Sequence, residues 1–169
     1  GHTRWAALGD AIARLLRASG ADVTAEYYVN DAGNQMNVFA DSVLARLHGR
    51  DVPAGGYPGA YVQELADAVA LEHPDVRELT DEAARPVVRE AAYRLQMQDI
   101  KNTLAAFDVH FDVFTSEQTL HDSGAIEQAV QRLREQGHVE DREGAVWLKT
   151  TDFGDDKDRV VLKSDGDAA

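Results

Sequence analysis

An α/β fold with a mainly parallel sheet is what this sequence predicts, and three observations predict it. Helical and strand periodicities alternate along the chain. A strand-like run, Asp22 to Val29, leads through a polar turn into a helix-like run. No apolar stretch approaches the ~20 residues that a membrane span needs. The 169 residues suit one domain, or a domain with one subdomain. A content of 44% hydrophobic and 28% charged residues is ordinary for a globular protein.

Trp5, Leu8, Ile12, Leu15 and Leu16 recur at helical spacing, so 3–18 reads as an amphipathic helix stopped by Gly20. Residues 22–29 carry β-branched and aromatic side chains at strand length. Asn30-Asp31-Ala32-Gly33-Asn34-Gln35 then gathers turn and helix-capping types, and Met36, Phe39, Val43 and Leu47 mark a second helix. Strand, turn and helix make half of a βαβ unit, with the helix at 3–18 as its crossover. The strand expected before that helix is missing from the sequence.

Residues 49–59 are rich in glycine and proline and read as a loop, followed by a short helix at 60–72 on Tyr61, Leu65 and Val69. Thr80 can cap a longer helix, with Asp81 and Glu82 favourable in its first turn; Pro86 is tolerated near that start or moves it to about 85. Tyr93, Met97, Ile100, Leu104 and Phe107 keep a 4-3-4-3 spacing, the best helix signal in the chain. Alternation of Val109, Phe111 and Val113 with polar residues predicts a strand at 109–115. Ser123 can cap a helix that Gly137 ends. Residues 138–149 read as a hairpin turning at Glu143-Gly144, and 159–163 as a last short strand.

Charge and composition exclude several functions. Seventeen Lys+Arg against thirty Asp+Glu give −13, so most of the surface should repel nucleic acid. With no cysteine there is no disulfide framework, thiolate metal site or cysteine nucleophile. The sequence has no GxSxG elbow and no Walker A motif, and the DFG triplet at Asp152 lacks the glycine-rich and HRD-type loops a kinase requires. The loop from Asp152 to Arg159 lacks the EF-hand pattern, which favours a solvated turn over a metal site. The histidines after His2 are scattered, with no i, i+4 ligand pair.

Two places could carry chemistry. Gly1-His2 opens a helix, where free N–H groups and the positive dipole end suit phosphate; the same dipeptide is also what a tag or cut site leaves. Glu26, Tyr27, Tyr28, Asn30 and Asp31 sit at the carboxyl end of a predicted strand, the edge where open α/β sheets bind ligands. The competing reading packs one tyrosine in the core and makes Asn30 or Asp31 a helix cap.

Gly1-His2-Thr3-Arg4, the run Glu26-Tyr27-Tyr28-Val29-Asn30-Asp31-Ala32-Gly33-Asn34-Gln35, Phe111 to Glu117, and Asp156-Lys157-Asp158-Arg159-Val160-Val161-Leu162-Lys163-Ser164-Asp165-Gly166 resemble, in order and nearly end to end, the catalytic domain of bacterial arginyl-tRNA synthetases. The resemblance implies a class I synthetase with a Rossmann-like catalytic fold, represented by an internal fragment: 1–48 as the first part of the nucleotide-binding domain, 49–108 as a mostly helical insertion, 109–169 as its continuation. Gly1 and His2 would be the second half of the HIGH signature, binding ATP, with His2 catalytic. Glu26, Tyr27, Asn30 and Asp31 would line the substrate pocket. ATP with its Mg2+ would be the cofactor, with no dedicated metal site. Arginine and tRNA would be the further partners, and the cytoplasm the location, with no membrane association. The first half of that signature, the guanidinium partner and the KMSKS-like loop are expected outside this stretch, so the fragment alone should be inactive and too acidic to hold nucleic acid strongly. A non-catalytic module or truncated paralogue with an interaction role is the alternative, and a generic nucleotide-binding domain a third.

Overall fold

The computed structural model describes residues 2–168, with side chains from Arg4 onward, and divides into two compact units, 1–117 and 118–169.

In the first unit, helix α1 (His2–Ala18) is followed by strand β1 (Glu26–Val29), α2 (Asn34–Leu47), α3 (Ala60–Glu72), a 3-10 turn at Pro74–Glu78, the long α4 (Asp81–Ala106) and β2 (Val113–Ser116). Strands β1 and β2 pair in parallel, Glu26 opposite Val113 and Val29 opposite Ser116. Parallel neighbours need a crossover connection, here supplied by the helices between them.

The core of this unit lies among the helices. Val43, Leu44 and Leu47 of α2 pack with Val62, Leu65 and Val69 of α3, Val76 of the 3-10 turn, and Ala84, Val88 and Ala92 of α4. Apolar residues at three- and four-residue spacing on α2, α3 and α4 make one face of each helix apolar, and the three faces close on each other. Ser42 is fully buried there; its hydroxyl donates to the Val38 carbonyl (2.7 Å) and accepts from the Tyr57 N–H (3.0 Å), so the hydroxyl is fully partnered. The Thr80 hydroxyl caps α4 by accepting from Ala83 N–H, and α4 begins at Asp81 with Pro86 inside it.

The second unit holds α6 (Ala125–Glu135) and an antiparallel sheet of β3 (Val139–Arg142), β4 (Ala145–Leu148) and β5 (Arg159–Leu162), in that order. Short α5 (Glu117–Asp122) spans the division between units. The predicted hairpin turns at Glu143 (φ 55°) and Gly144 (φ 78°), the paired positive φ of a type I′ turn.

Several expectations are revised. Parallel pairing is confined to β1 and β2, because the strands after residue 138 pair antiparallel among themselves. The strand expected at 22–29 pairs only from Glu26, and the one at 109–115 only from Val113. Just ahead of the ladder the Asp112 and Val113 N–H groups still donate to the Ala25 carbonyl (2.7 and 3.2 Å), and the Asp112 carboxylate accepts from Ala25 N–H (2.7 Å) and from Arg17 (2.8 Å). Ser123 does not cap α6: its hydroxyl donates to the Leu120 carbonyl, and Gly124 occupies the cap in a left-handed conformation.

Candidate functional site

At the carboxyl end of β1 the chain opens into a cleft of about 420 Å³. Tyr27, Tyr28 and Asn30 line it from the strand, Gln35 and Met36 from α2, Tyr57 and Tyr61 from the loop and start of α3, and Tyr93, Gln96 and Met97 from α4. Gly33, at φ 70° and ψ −164°, lets the backbone swing from β1 into α2 in a conformation side chains resist.

Asp31 stands behind that wall and is 8% exposed. Its carboxylate accepts from the Tyr93 hydroxyl (2.7 Å) and the Ser116 hydroxyl (3.0 Å), joining the turn after β1 to α4 and to the end of β2. Gly33, rather than Asn30 or Asp31, occupies the N-cap position of α2. The Tyr93 phenol is pushed up to about 12, first by burial and then by the Asp31 carboxylate, whose charge opposes a phenolate.

Of the five strand-end residues singled out in the sequence, Tyr27, Tyr28 and Asn30 line the cleft. Glu26 does not. It lies in a second groove, of about 560 Å³, between α1 and the strand pair, and its carboxylate accepts from the Thr115 hydroxyl. Tyr27 borders both spaces; its ring meets Phe111 edge-on (5.2 Å) and stacks on Phe114 (5.4 Å), over which Lys101 Nζ sits at 4.6 Å. Gly1 and the His2 side chain lie outside the described residues.

The course of α1 bears on that end of the molecule. Arg14 pairs with Asp108 (2.9 Å), and Arg17 donates to the Val23 carbonyl (3.0 Å) and to Asp112 (2.8 Å), which ties the last turns of α1 to the entry of the strand pair. Trp5 and Ala6, near its start, border the same groove as Tyr27 and Tyr28.

The remaining candidates are engaged elsewhere. In the Asp152–Arg159 loop, Arg159 binds the carboxylates of Asp155 (2.9 Å) and Asp156 (2.9 Å), and Asp158 accepts from Thr151. The Arg159 guanidinium holds the Asp155 carboxyl well below the usual range. Among the described residues no three His, Asp or Glu side chains are placed to share a metal ion. Nor is any helix of them long and apolar enough to cross a membrane.

Sequence reasoning missed the far wall of the cleft. Tyr93, Met97 and Ile100 were legible as a helical apolar face, and the signal that they border a pocket was the pair of amides, Gln35 and Gln96, set among aromatics.

Compared with known proteins, the chain is 95% identical over 167 residues to an arginine–tRNA ligase of Micrococcus luteus, covering 99% of this chain and 30% of that protein. It is 74% identical over 167 residues to one of Paenarthrobacter aurescens, with the same coverage of both. A crystal structure assigned as an arginyl-tRNA synthetase of Campylobacter jejuni superposes with a TM-score of 0.86 at 29% identity, over 100% of this chain and 38% of that one. No family model matches the chain. All three matches are to proteins of the aminoacyl-tRNA synthetase class. More narrowly, the chain corresponds over its whole length to a stretch of the arginine–tRNA ligases, spanning 30% of the length of the curated relatives it matches.

Proposed function

We propose that this chain is part of the catalytic region of an arginine–tRNA ligase, which activates arginine with ATP and transfers it to tRNA in the cytoplasm. The observation that carries the reading is the 95% identity, over 99% of the chain, to a protein of that name.

The architecture is read as Rossmann-like, with 1–48 and 109–169 contributing to the catalytic domain and 49–108 inserted between them as helices. In this reading the arginine carboxylate attacks the α-phosphate of ATP, pyrophosphate leaves, and the arginyl adenylate passes its acyl group to the 3′ end of tRNA. Magnesium arrives with the nucleotide. The first turn of α1 offers unpaired backbone N–H groups and the positive end of its dipole to the phosphates, and His2 donates to an anionic oxygen as charge develops. Tyr27 and Asn30 line the adjoining cleft, Glu26 flanks α1, and Asp31 fixes the turn that carries Asn30.

The cleft presents no carboxylate to a guanidinium, so arginine's side chain would lose several kcal/mol if buried there unpaired. We therefore propose that these 169 residues alone are inactive. Arginine- and tRNA-dependent ATP–pyrophosphate exchange tests both statements. Exchange by the complete protein and none by the 169-residue chain is expected. Failure of the complete protein to exchange overturns the ligase reading in favour of a non-catalytic module.

A further inference from the structure

We propose that Tyr93 of α4 is a positioning residue for the reaction: through the Asp31 carboxylate it sets the turn that carries Asn30, and so ties the geometry of the cleft to the helical segment 49–108. The inference deepens the proposed function and rests on it for the reaction that is positioned.

The turn is short enough to pass on any movement of Asp31. Asp31 N–H donates to the Val29 carbonyl (3.0 Å), two residues back, so Asn30 is the middle residue of a three-residue turn at the end of β1. Val29, Asp31 and Ala32 are buried around it, whereas Asn30 is exposed and borders the cleft. A residue set between buried neighbours in so tight a turn goes where they go.

Asp31 is braced from two elements. Ser116 donates to its Oδ1 (3.0 Å) and Tyr93 to its Oδ2 (2.7 Å). Ser116 closes β2 opposite Val29, so its bond spans positions that the strand ladder already fixes. The Tyr93 bond brings in a different part of the molecule. Ala92, beside Tyr93, is fully buried in the core that α2, α3 and α4 share, so packing among those helices fixes the donor's end of the bond. A carboxylate with a donor on each oxygen is defined in plane as well as in place, and a charged acceptor makes both bonds strong. The Tyr93 phenol, pushed up to about 12, first by burial, keeps its proton near neutrality and remains a donor.

The consequence falls on rate rather than on binding. Tyr93→Phe keeps the ring that lines the cleft and loses only the hold on Asp31. A displacement on the order of 1 Å in a residue that orients reactants costs up to about 10²-fold in rate. Alignment of this kind is realised in the transition state, so its loss lowers kcat and leaves KM nearly unchanged.

Arginine- and tRNA-dependent ATP–pyrophosphate exchange by the complete protein tests the assignment. Tyr93→Phe is expected to lower kcat about tenfold or more, with KM for arginine and for ATP within about twofold of the parent's. Val76→Ala removes methyl groups from the same helical core at a position that does not border the cleft; it is expected to lower the unfolding midpoint and leave kcat unchanged. Asp31→Asn should lower kcat as well, and adding Tyr93→Phe to it should cost nothing further, because Tyr93 acts through that carboxylate. An unchanged kcat in Tyr93→Phe, a change in KM alone, an equal loss of kcat in Val76→Ala, or losses that multiply in the double variant overturns the inference. The parent protein keeps the two readings apart. If it exchanges no pyrophosphate, the ligase reading fails and takes this inference with it; if it exchanges and Tyr93→Phe matches it, this inference fails alone.

Discussion

The Tyr93 hydroxyl donates to the Asp31 carboxylate across 2.7 Å, so a residue in the middle of α4 holds the turn that follows β1. Tyr93→Phe keeps the ring and removes the donor. A loss of about 1 kcal/mol is expected, since a charged acceptor then keeps fewer partners in a buried place. Urea denaturation of the two chains checks it.

The same pair sets a pH dependence. The folded phenol titrates at about 12, above the unfolded value of ~10, so protons are bound more tightly in the native state. The stability it contributes is complete below about pH 10 and is lost as pH rises toward 12. Denaturation midpoints of the parent chain should fall more steeply than those of Tyr93→Phe across that window.

Ser42 carries a comparable duty in the core. Ser42→Ala leaves the half-buried Tyr57 N–H without its acceptor, and a cost of about 1 kcal/mol is expected. Because Tyr57 also borders the cleft, protection of its amide from hydrogen exchange should drop with stability.

The role proposed for His2 is tested in the complete protein, by measuring adenylate formation. His2→Ala should slow that step by about 10²-fold, as removal of one transition-state donor does. A defect restricted to tRNA affinity would contradict its role.

The exposed flank of α1 predicts behaviour in solution. Trp5 and Leu15 are 71% and 72% exposed, with Leu8, Ile12 and Leu16 on view beside them. A patch of that kind drives association or dye binding. Leu15→Glu should lower both ANS fluorescence and the sedimentation-detected association of the 169-residue chain.

How much of this was legible in the sequence depends on what each element is made from. Helix α3 lies at 60–72 as its period requires, and Thr80 caps α4, because amphipathic spacing and capping are local signals. The hairpin was legible for the same reason, through Glu143-Gly144. Strand limits were not. Val23 and Thr24 look like strand residues, yet pairing begins at Glu26, since a ladder is only as long as its partner and β2 has four residues. Asn30 and Tyr27 could be placed at a strand end from sequence. Asp31 could not be recognised as a tether, because its partners Tyr93 and Ser116 lie 62 and 85 residues away.

The chain has two tryptophans, and they fall in different units. Trp5 is largely solvated already, whereas the Trp147 indole donates to the Arg142 carbonyl (3.1 Å) beneath that residue's guanidinium, so emission reports chiefly on the fate of 118–169. Far-UV ellipticity is dominated by α1 to α4, all within 1–117. A melt followed by light and one followed by polarisation thus watch separate parts of one polypeptide, and their midpoints coincide only where the parts are equally stable or unfold together.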